Sequence, residues 1–334
     1  MNVRFISLIL LWIIAMNAPG EPDPSGGSVE WGTSLTLTSG ARAVALSTYE
    51  LPTTGPMRIL LFACPNGNTA EQTLGDVDTT GTRWRYGIQH IAAQWRHLRL
   101  QEKSDQVPEA LVCVEAPGLS WPAALRTRGT AWGGQVLEEV RTLAGPGARI
   151  TVAAAHSGGG ALLHAALTLQ TPPTLPKVME DLEDLIFLDA NYAFQDSLHG
   201  EPLARWLGCV ERAQLVSLAY DDRKVVFQGK PVVGPTGGTL RANLRMGSSL
   251  TGRFIALASG GDSETTRVIG LKGRIRLETL PNTENRILHT VLVERNGLIH
   301  ALSDGGSPHW MKDPIYRPLI RPLRVGRSAA GIDP

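Results

Sequence analysis

The chain has 334 residues, of which 43% are hydrophobic and 19% are charged, and its formal net charge is +1. This length and composition are typical of a soluble globular protein with one large core. The near-neutral charge and the lack of a basic stripe with interleaved aromatic residues argue against nucleic acid as a partner.

The N-terminus has the pattern of an export signal. A basic residue precedes a short apolar run over residues 5–16, and Ala18 and Gly20 are small residues that suit a cleavage site. Because the run is too short to span a bilayer comfortably, we expect residues 1–20 to be a cleaved signal peptide rather than an uncleaved anchor. Residues 21–29 follow as a flexible leader. The mature protein is expected to be periplasmic, cell-surface or secreted, without a stable membrane span.

Short apolar runs bounded by turn residues predict a series of buried strands after a β-hairpin within residues 31–51. The strands are expected at residues 57–64, 110–115, 149–155, 185–188, 214–220 and 286–294. Helices are expected between them at residues 82–100, 131–143 and 159–169. Continuous apolar strands that alternate with helices indicate a mostly parallel central sheet with helices on both faces. We therefore predict a single α/β domain over residues 30–334.

Residues 223–285 interrupt this alternation. The segment is rich in glycine, with a helix expected near residues 240–250 and a strand-like stretch at residues 266–280. We interpret it as an insertion between the last two core strands that could cover a site.

The strongest functional pattern lies at the end of the strand that precedes residue 156. This strand runs directly into a His-Ser-Gly-Gly-Gly turn at residues 156–160, and an apolar helix follows. A nucleophile elbow needs small residues two positions before and after its serine, and Ala155 and Gly159 meet that need. We therefore predict Ser157 as a nucleophile at a helix N-terminus, with the Gly158 N–H as an oxyanion-hole donor. The alternatives are a serine that only caps the helix and a glycine loop that cradles phosphate.

The second oxyanion donor is expected on the loop after the strand at residues 57–64. Asn66 and Asn68 are the candidates for a backbone N–H, and Gly67 between them permits a close approach of the backbone. The alternative is an ordinary Asn-Gly turn.

The acid of a serine hydrolase usually follows the nucleophile, after a later core strand. The strand at residues 214–220 is followed by Asp221 and Asp222. We favour Asp222 as the acid, with Asp221 as the next candidate, and expect the other of the two to face solvent or cap a helix. Asp189 is a rival, since it ends the strand just after the nucleophile helix.

The base is expected last, on the loop after the final strand. With residues 286–294 as that strand, His300 lies on this loop and is the predicted base. His289 lies at the opposite end of the strand and is therefore disfavoured, and His309 is a weaker reserve. His156, beside the serine, cannot easily fold back as its base.

The order Ser157, Asp222, His300 is the order of nucleophile, acid and base in α/β hydrolases. With the Ala-His-Ser-x-Gly pattern at residues 155–159, it makes the chain resemble the α/β-hydrolase superfamily, in a form of the elbow found in some small bacterial lipases. The resemblance covers residues 31–300. It implies the α/β-hydrolase fold and an esterase, lipase or peptidase-like acyl hydrolase.

These patterns predict an exported serine hydrolase that cleaves a carboxylic ester through an acyl-enzyme on Ser157, with His300 as base. The substrate is expected to be a small-molecule or polymer ester, and no cofactor is implied. The alternatives are a serine peptidase or amidase of the same fold, and a catalytically silent hydrolase-like binding protein.

The three cysteines, Cys64, Cys113 and Cys209, allow at most one disulfide. Burial as small hydrophobic residues is the simplest expectation for Cys64 and Cys113, which lie in apolar runs. No Cys/His spacing resembles a zinc site, so no metal is predicted.

Overall fold

The computed structural model describes residues 34–47, 56–77, 89–101, 107–169, 175–253, 258–261, 265–318 and 321–322. The strands formed by these residues are β1 (Ser34–Thr36), β2 (Arg42–Ser47), β3 (Met57–Ala63), β4 (Asp76–Val77), β5 (Glu109–Glu115), β6 (Ala148–His156), β7 (Asp184–Leu188), β8 (Gln214–Tyr220), β9 (Val226–Phe227), β10 (Lys230–Pro231), β11 (Ala258–Gly261), β12 (Thr266–Gly270), β13 (Ile275–Leu280) and β14 (Arg321–Pro322). The helices are α1 (Ala70–Leu74), α2 (Ile91–Gln101), α3 (Trp121–Arg128), α4 (Thr130–Leu143), α5 (Gly160–Thr168), α6 (Lys177–Asp181), α7 (Glu201–Cys209), α8 (Thr239–Arg253), α9 (Val291–Glu294) and α10 (Gly297–Leu302). The predicted signal peptide and leader lie outside the described residues. None of the described helices has the length and apolar character needed to cross a membrane.

A ten-stranded sheet organises the chain in the order β1-β2-β5-β3-β6-β7-β8-β13-β12-β11. Every neighbouring pair from β5 to β13 is parallel, whereas β1 and β2 at one edge, and β12 and β11 at the other, pair antiparallel. The central strands are buried along almost their whole length, as parallel strands covered on both faces should be. The predicted α/β architecture with a mostly parallel sheet is confirmed.

Helices cover both faces of the sheet. On one face, α3 to α8 contribute apolar side chains to a core that includes Trp121, Leu162 and Trp206. On the other face, α1, α2, α9 and α10 pack around Trp95 and Leu298. The sheet therefore separates two hydrophobic layers, and its edge at the carboxyl ends of the parallel strands stays open to loops.

The last parallel strand differs from the sequence prediction. Residues 286–294, predicted as the final core strand, instead form a loop and the helix α9. The last parallel strand is β13, which pairs with β8 along its whole length. The prediction that residues 223–285 are an insertion between the last two core strands was therefore wrong in part, because these residues include the core strand β13. The segment between β8 and β13 carries the β9–β10 hairpin, α8 and the edge strands β11 and β12.

A pair of stacked histidines lies under the sheet, away from solvent. The His164 ring on α5 stacks on the His199 ring, with centroids 4.6 Å apart, and on Phe187 at 4.8 Å. Burial lowers the pKa of His164 to about 3 and the pKa of His199 to about 4. Both rings are therefore neutral at pH 7.

Acid should destabilise the fold through this pair. A histidine of the unfolded chain titrates near its ordinary pKa of about 6.5, so the unfolded state binds more protons below that pH. The free energy of unfolding should fall as the pH drops from about 6.5 towards 4. We expect the melting temperature of His164→Leu to fall less between pH 7 and pH 5 than that of the native protein, as measured by thermal unfolding. The exposed His309→Leu serves as control. An acid sensitivity unchanged in His164→Leu would contradict this assignment.

Candidate active site

The chain makes a strained turn at Ser157. Strand β6 ends at His156, and Ser157 has a φ of 53°, in the left-handed region that side chains other than glycine rarely adopt. A short 3-10 turn over Ser157–Gly159 then leads into α5. Such strain at a non-glycine residue marks functional turns, and a strand–turn–helix of this kind holds the serine of a nucleophile elbow.

Three consecutive glycines let this turn approach the neighbouring loops. A side chain on Gly158 would overlap the amide of Asn66, and one on Gly159 would overlap the carbonyl oxygen of Ala63 at the end of β3. A side chain on Gly160 would overlap the carbonyl oxygen of Ala190, just after β7. The turn is therefore packed against the strands on both sides of β6, and the glycines are required by space.

The loop between β13 and α9 brings a histidine to this turn. The His289 Nδ1 lies 2.5 Å from Oδ2 of Asp189. The His289 side chain is 34% exposed, whereas the Asp189 side chain is 3% exposed. A carboxylate accepts from Nδ1–H, which leaves Nε2 of His289 as a proton acceptor. This is the relation between the acid and the base of a serine hydrolase.

His156 connects the loop that carries His289 to the end of strand β6. Its Nε2 lies 3.0 Å from the carbonyl oxygen of His289, and the two rings are 4.5 Å apart. Burial lowers the pKa of His156 well below its ordinary value, so the ring is neutral and donates from Nε2–H to that carbonyl. Because His156 directly precedes Ser157, this contact places the His289 imidazole beside the serine turn.

Two buried aspartates follow adjacent strands and meet at one threonine. Asp189 has a φ of 48° after β7, and its Oδ1 accepts from the Thr239 hydroxyl at 2.5 Å. Asp222, after β8, accepts from the Thr239 backbone N–H at 2.8 Å and so caps α8. Gly238 leaves room for the Asp222 carboxylate, whose pKa is raised by burial.

The sequence preference among the aspartates is therefore corrected. Asp222 caps a helix and has no histidine partner among the described residues, whereas the rival Asp189 contacts His289. Asp221 pairs with Arg223 at 2.7 Å, which lowers the pKa of Asp221. Asp221 thus serves a partly exposed ion pair outside the site.

The structure contradicts the assignment of His300 as base. His300 lies on α10, is 0% exposed, and stacks on Trp310 at 4.4 Å. Its Nε2 is 3.2 Å from Glu278 and its Nδ1 accepts from the Ser307 N–H at 2.8 Å, so both ring nitrogens are occupied. The last parallel strand is β13, and the loop after it carries His289 rather than His300. The reserve candidate, His309, is exposed.

Tyr192 was missed by sequence reasoning. Its phenol neighbours the Ser157 side chain, and burial raises the pKa of Tyr192 against a smaller opposing effect of Ser157. The position of Tyr192 three residues after Asp189 was the available signal. Thr239 was also missed, although it begins α8 directly after two glycines.

The loop after β3 lies against the serine turn, where the Asn66 side chain covers Gly158. The Gly67 N–H donates to the Leu119 carbonyl at 2.8 Å, and the Asn68 N–H to the Pro65 carbonyl at 3.3 Å. In the part of the chain that the structure describes, the Asn66 N–H has no protein acceptor. Of the two candidates for a second oxyanion donor, Asn66 is the better placed.

The cysteines are free thiols, with Cys64 and Cys113 buried and Cys209 exposed. The described residues contain no group of three or more His, Cys, Asp or Glu side chains that could hold a metal ion.

No protein-family model and no curated protein matches the sequence. Among solved structures, the chain is similar to a thermostable esterase, at 12% identity and a TM-score of 0.45, over 80% of this chain and 60% of that one. It is also similar to a glucuronoyl esterase from Solibacter usitatus, at 9% identity and a TM-score of 0.35, over 87% of this chain and 92% of that one. A third similar structure is brefeldin A esterase, a bacterial homologue of human hormone-sensitive lipase, at 10% identity and a TM-score of 0.35, over 89% of this chain and 82% of that one. The chain thus spans 60% of the length of the first of these proteins. The α/β-hydrolase fold itself is evident from the strand order and from the serine turn after β6.

The packing of the serine turn predicts a steric cost. Gly160→Ala should lower the free energy of unfolding by about 2–3 kcal/mol, because the methyl group would overlap the Ala190 carbonyl. Chemical denaturation measures this loss. Gly234→Ala is the matched control, since its methyl group would meet no atom within 4 Å. Equal stability of the two variants would show that the turn is not tightly packed.

Proposed function

We propose that this protein is an exported serine hydrolase that cleaves carboxylic esters, with Ser157 as nucleophile, His289 as base and Asp189 as acid. The observation that carries the proposal is the 2.5 Å contact of His289 Nδ1 with Asp189, on a loop held against the strained serine turn by His156. The ester preference follows the resemblance of the Ala-His-Ser-x-Gly pattern. Export rests on the apolar pattern of residues 1–20, and N-terminal sequencing of the mature chain tests it.

The proposed reaction begins with transfer of the Ser157 hydroxyl proton to Nε2 of His289 as the oxygen attacks the ester carbonyl. Asp189 accepts from Nδ1–H and stabilises the imidazolium. The N–H groups of Gly158 and Asn66 bind the oxyanion of the tetrahedral intermediate. His289 then protonates the departing alkoxide, which leaves an acyl-enzyme. Water attacks this ester with His289 again as base, and the carboxylic acid and free Ser157 are regenerated.

Labelling by a fluorophosphonate tests the nucleophile and its base. Ser157→Ala should abolish labelling, and His289→Gln and Asp189→Asn should each lower kcat for a p-nitrophenyl ester about a thousandfold or more. A parallel series of aminoacyl amides separates ester from amide cleavage.

The matched controls are His300→Gln and Asp222→Asn, with rates normalised to folded protein. Both should keep activity within about tenfold of the native protein, because His300 contacts Glu278 and Asp222 contacts Thr239, and neither contacts Ser157, His289 or Asp189. If His300→Gln lost catalysis and His289→Gln stayed active, the assignment of His289 as base would be wrong.

His156 should act by positioning His289. His156→Leu removes the hydrogen bond to the His289 carbonyl, and we expect kcat to fall about 10- to 100-fold with little change in KM. His156→Gln, whose amide can still donate, should recover part of that loss. A purely space-filling role predicts the opposite order, with the apolar variant the more active.

A further inference from the structure

An open cavity of about 550 Å³ lies on the surface between the C-terminal half of α8 and the segment that precedes α7. Its lining consists of charged and small polar residues: Asp196, Arg245, Ser248, Ser249, Gly252 and Arg253. The arginine, aspartate and serine side chains offer charged and hydroxyl groups to a ligand, beside the apolar stems of the arginines.

The two arginines of the cavity differ in their charge partners. Arg253 donates to Asp196 at 2.7 Å, and the same carboxylate accepts from Ser249 at 2.5 Å. Arg245 makes no ion pair among the described residues. Arg253 also lies 3.6 Å from Glu201, which in turn pairs with Arg205 at 3.7 Å. Asp196 and Glu201 therefore share Arg253 and Arg205, whereas Arg245 has no carboxylate partner among the described residues.

Backbone carbonyls hold the Arg245 guanidinium in place. It donates to the carbonyl oxygens of Phe194 (3.4 Å), Thr236 (3.1 Å) and Tyr192 (3.4 Å). These contacts use one N–H on each nitrogen, so two of the five N–H groups remain. A guanidinium fixed in this way loses little conformational entropy when it binds an oxyanion, and its fork matches a carboxylate.

Tyr192 connects this cation to the proposed nucleophile. Its phenol neighbours the Ser157 side chain, and its carbonyl oxygen accepts from Arg245. A substrate with its scissile ester at Ser157 can therefore extend past Tyr192 towards the cavity. Arg245 is the cavity residue that contacts Tyr192.

We propose that this cavity binds a carboxylate carried by the ester substrate at a distance from the scissile bond, with Arg245 as its ligand. The substrate class is then an acidic ester. This inference rests on the proposed esterase function.

A pair of substrates that differ only in charge tests the proposal. The p-nitrophenyl monoesters of adipic and suberic acid carry a free carboxylate, and their methyl esters are the neutral counterparts. We expect kcat/KM of the native protein to favour the anionic member at least tenfold for one of the two chain lengths. Arg245→Gln should bring this ratio close to one, and Arg245→Lys should give an intermediate ratio. The preference should also weaken in 0.5 M NaCl.

Arg241→Gln is the matched control. Arg241 lies one turn earlier on α8 and donates to the carbonyl oxygens of Gly234 and Gly237, but it does not line the cavity. This variant should keep the anionic preference. The assignment of the cavity would be overturned if the ratio of kcat/KM for the anionic and neutral esters were the same in the native protein and in Arg245→Gln. It would also be overturned if Arg241→Gln lowered this ratio as much as Arg245→Gln does.

A binding measurement separates this inference from the proposed function. Calorimetry with adipate on Ser157→Ala requires no catalysis. Heat of binding that disappears in the double variant Ser157→Ala/Arg245→Gln supports the cavity even if no ester is cleaved. If adipate does not bind to Ser157→Ala, and the native protein cleaves esters without a preference for charge, the assignment of the cavity is overturned while the proposed function stands.

Discussion

The turn after β6 has no room for side chains beyond Ser157, and this steric constraint determines the surroundings of the serine. Gly159 lies against the carbonyl of Ala63 on one side, and Gly160 against the carbonyl of Ala190 on the other. The two contacts fix the turn relative to the loops that follow β3 and β7. One of these loops carries Asn66, and the other begins with Asp189. A single tight turn thus sets the places of Ser157, the loop that carries Asn66 and the loop that begins with Asp189.

The histidine reaches this assembly through a contact of its backbone as well as its ring. His156 donates to the His289 carbonyl, and Asp189 accepts from the His289 imidazole. These bonds act at two points of one residue, so the loop after β13 is held in position and the ring in orientation. Asp222 takes a different role, since it caps α8 and shares Thr239 with Asp189. Two carboxylates at neighbouring strand ends thus have different partners, since Asp189 contacts a histidine and Asp222 caps a helix.

The errors of sequence reasoning near the C-terminus have a physical explanation. Strand β13 alternates apolar and charged residues, a pattern typical of a half-exposed strand. Arg276 and Glu278 are nevertheless 5% and 1% exposed, because they form a buried ion network with Arg267 and the His300 ring. The apolar run at Val291–Glu294 looks like a strand but packs as a short helix, α9. Because the final strand was misplaced, the sequence prediction disfavoured His289, which lies on the loop after β13.

Local sequence determined the strands of the sheet centre, the helices after them and the turn at Ser157. These features depend on apolar runs and on small residues at fixed spacing, which neighbouring positions reveal. Which histidine meets which aspartate was decided only by the tertiary structure. His289 and Asp189 are far apart in sequence, and each has rivals of the same residue type. Strand pairing brings the ends of their strands to the same side of the sheet, because β13 lies two strands from β7, and His156 holds the loop that carries His289 there.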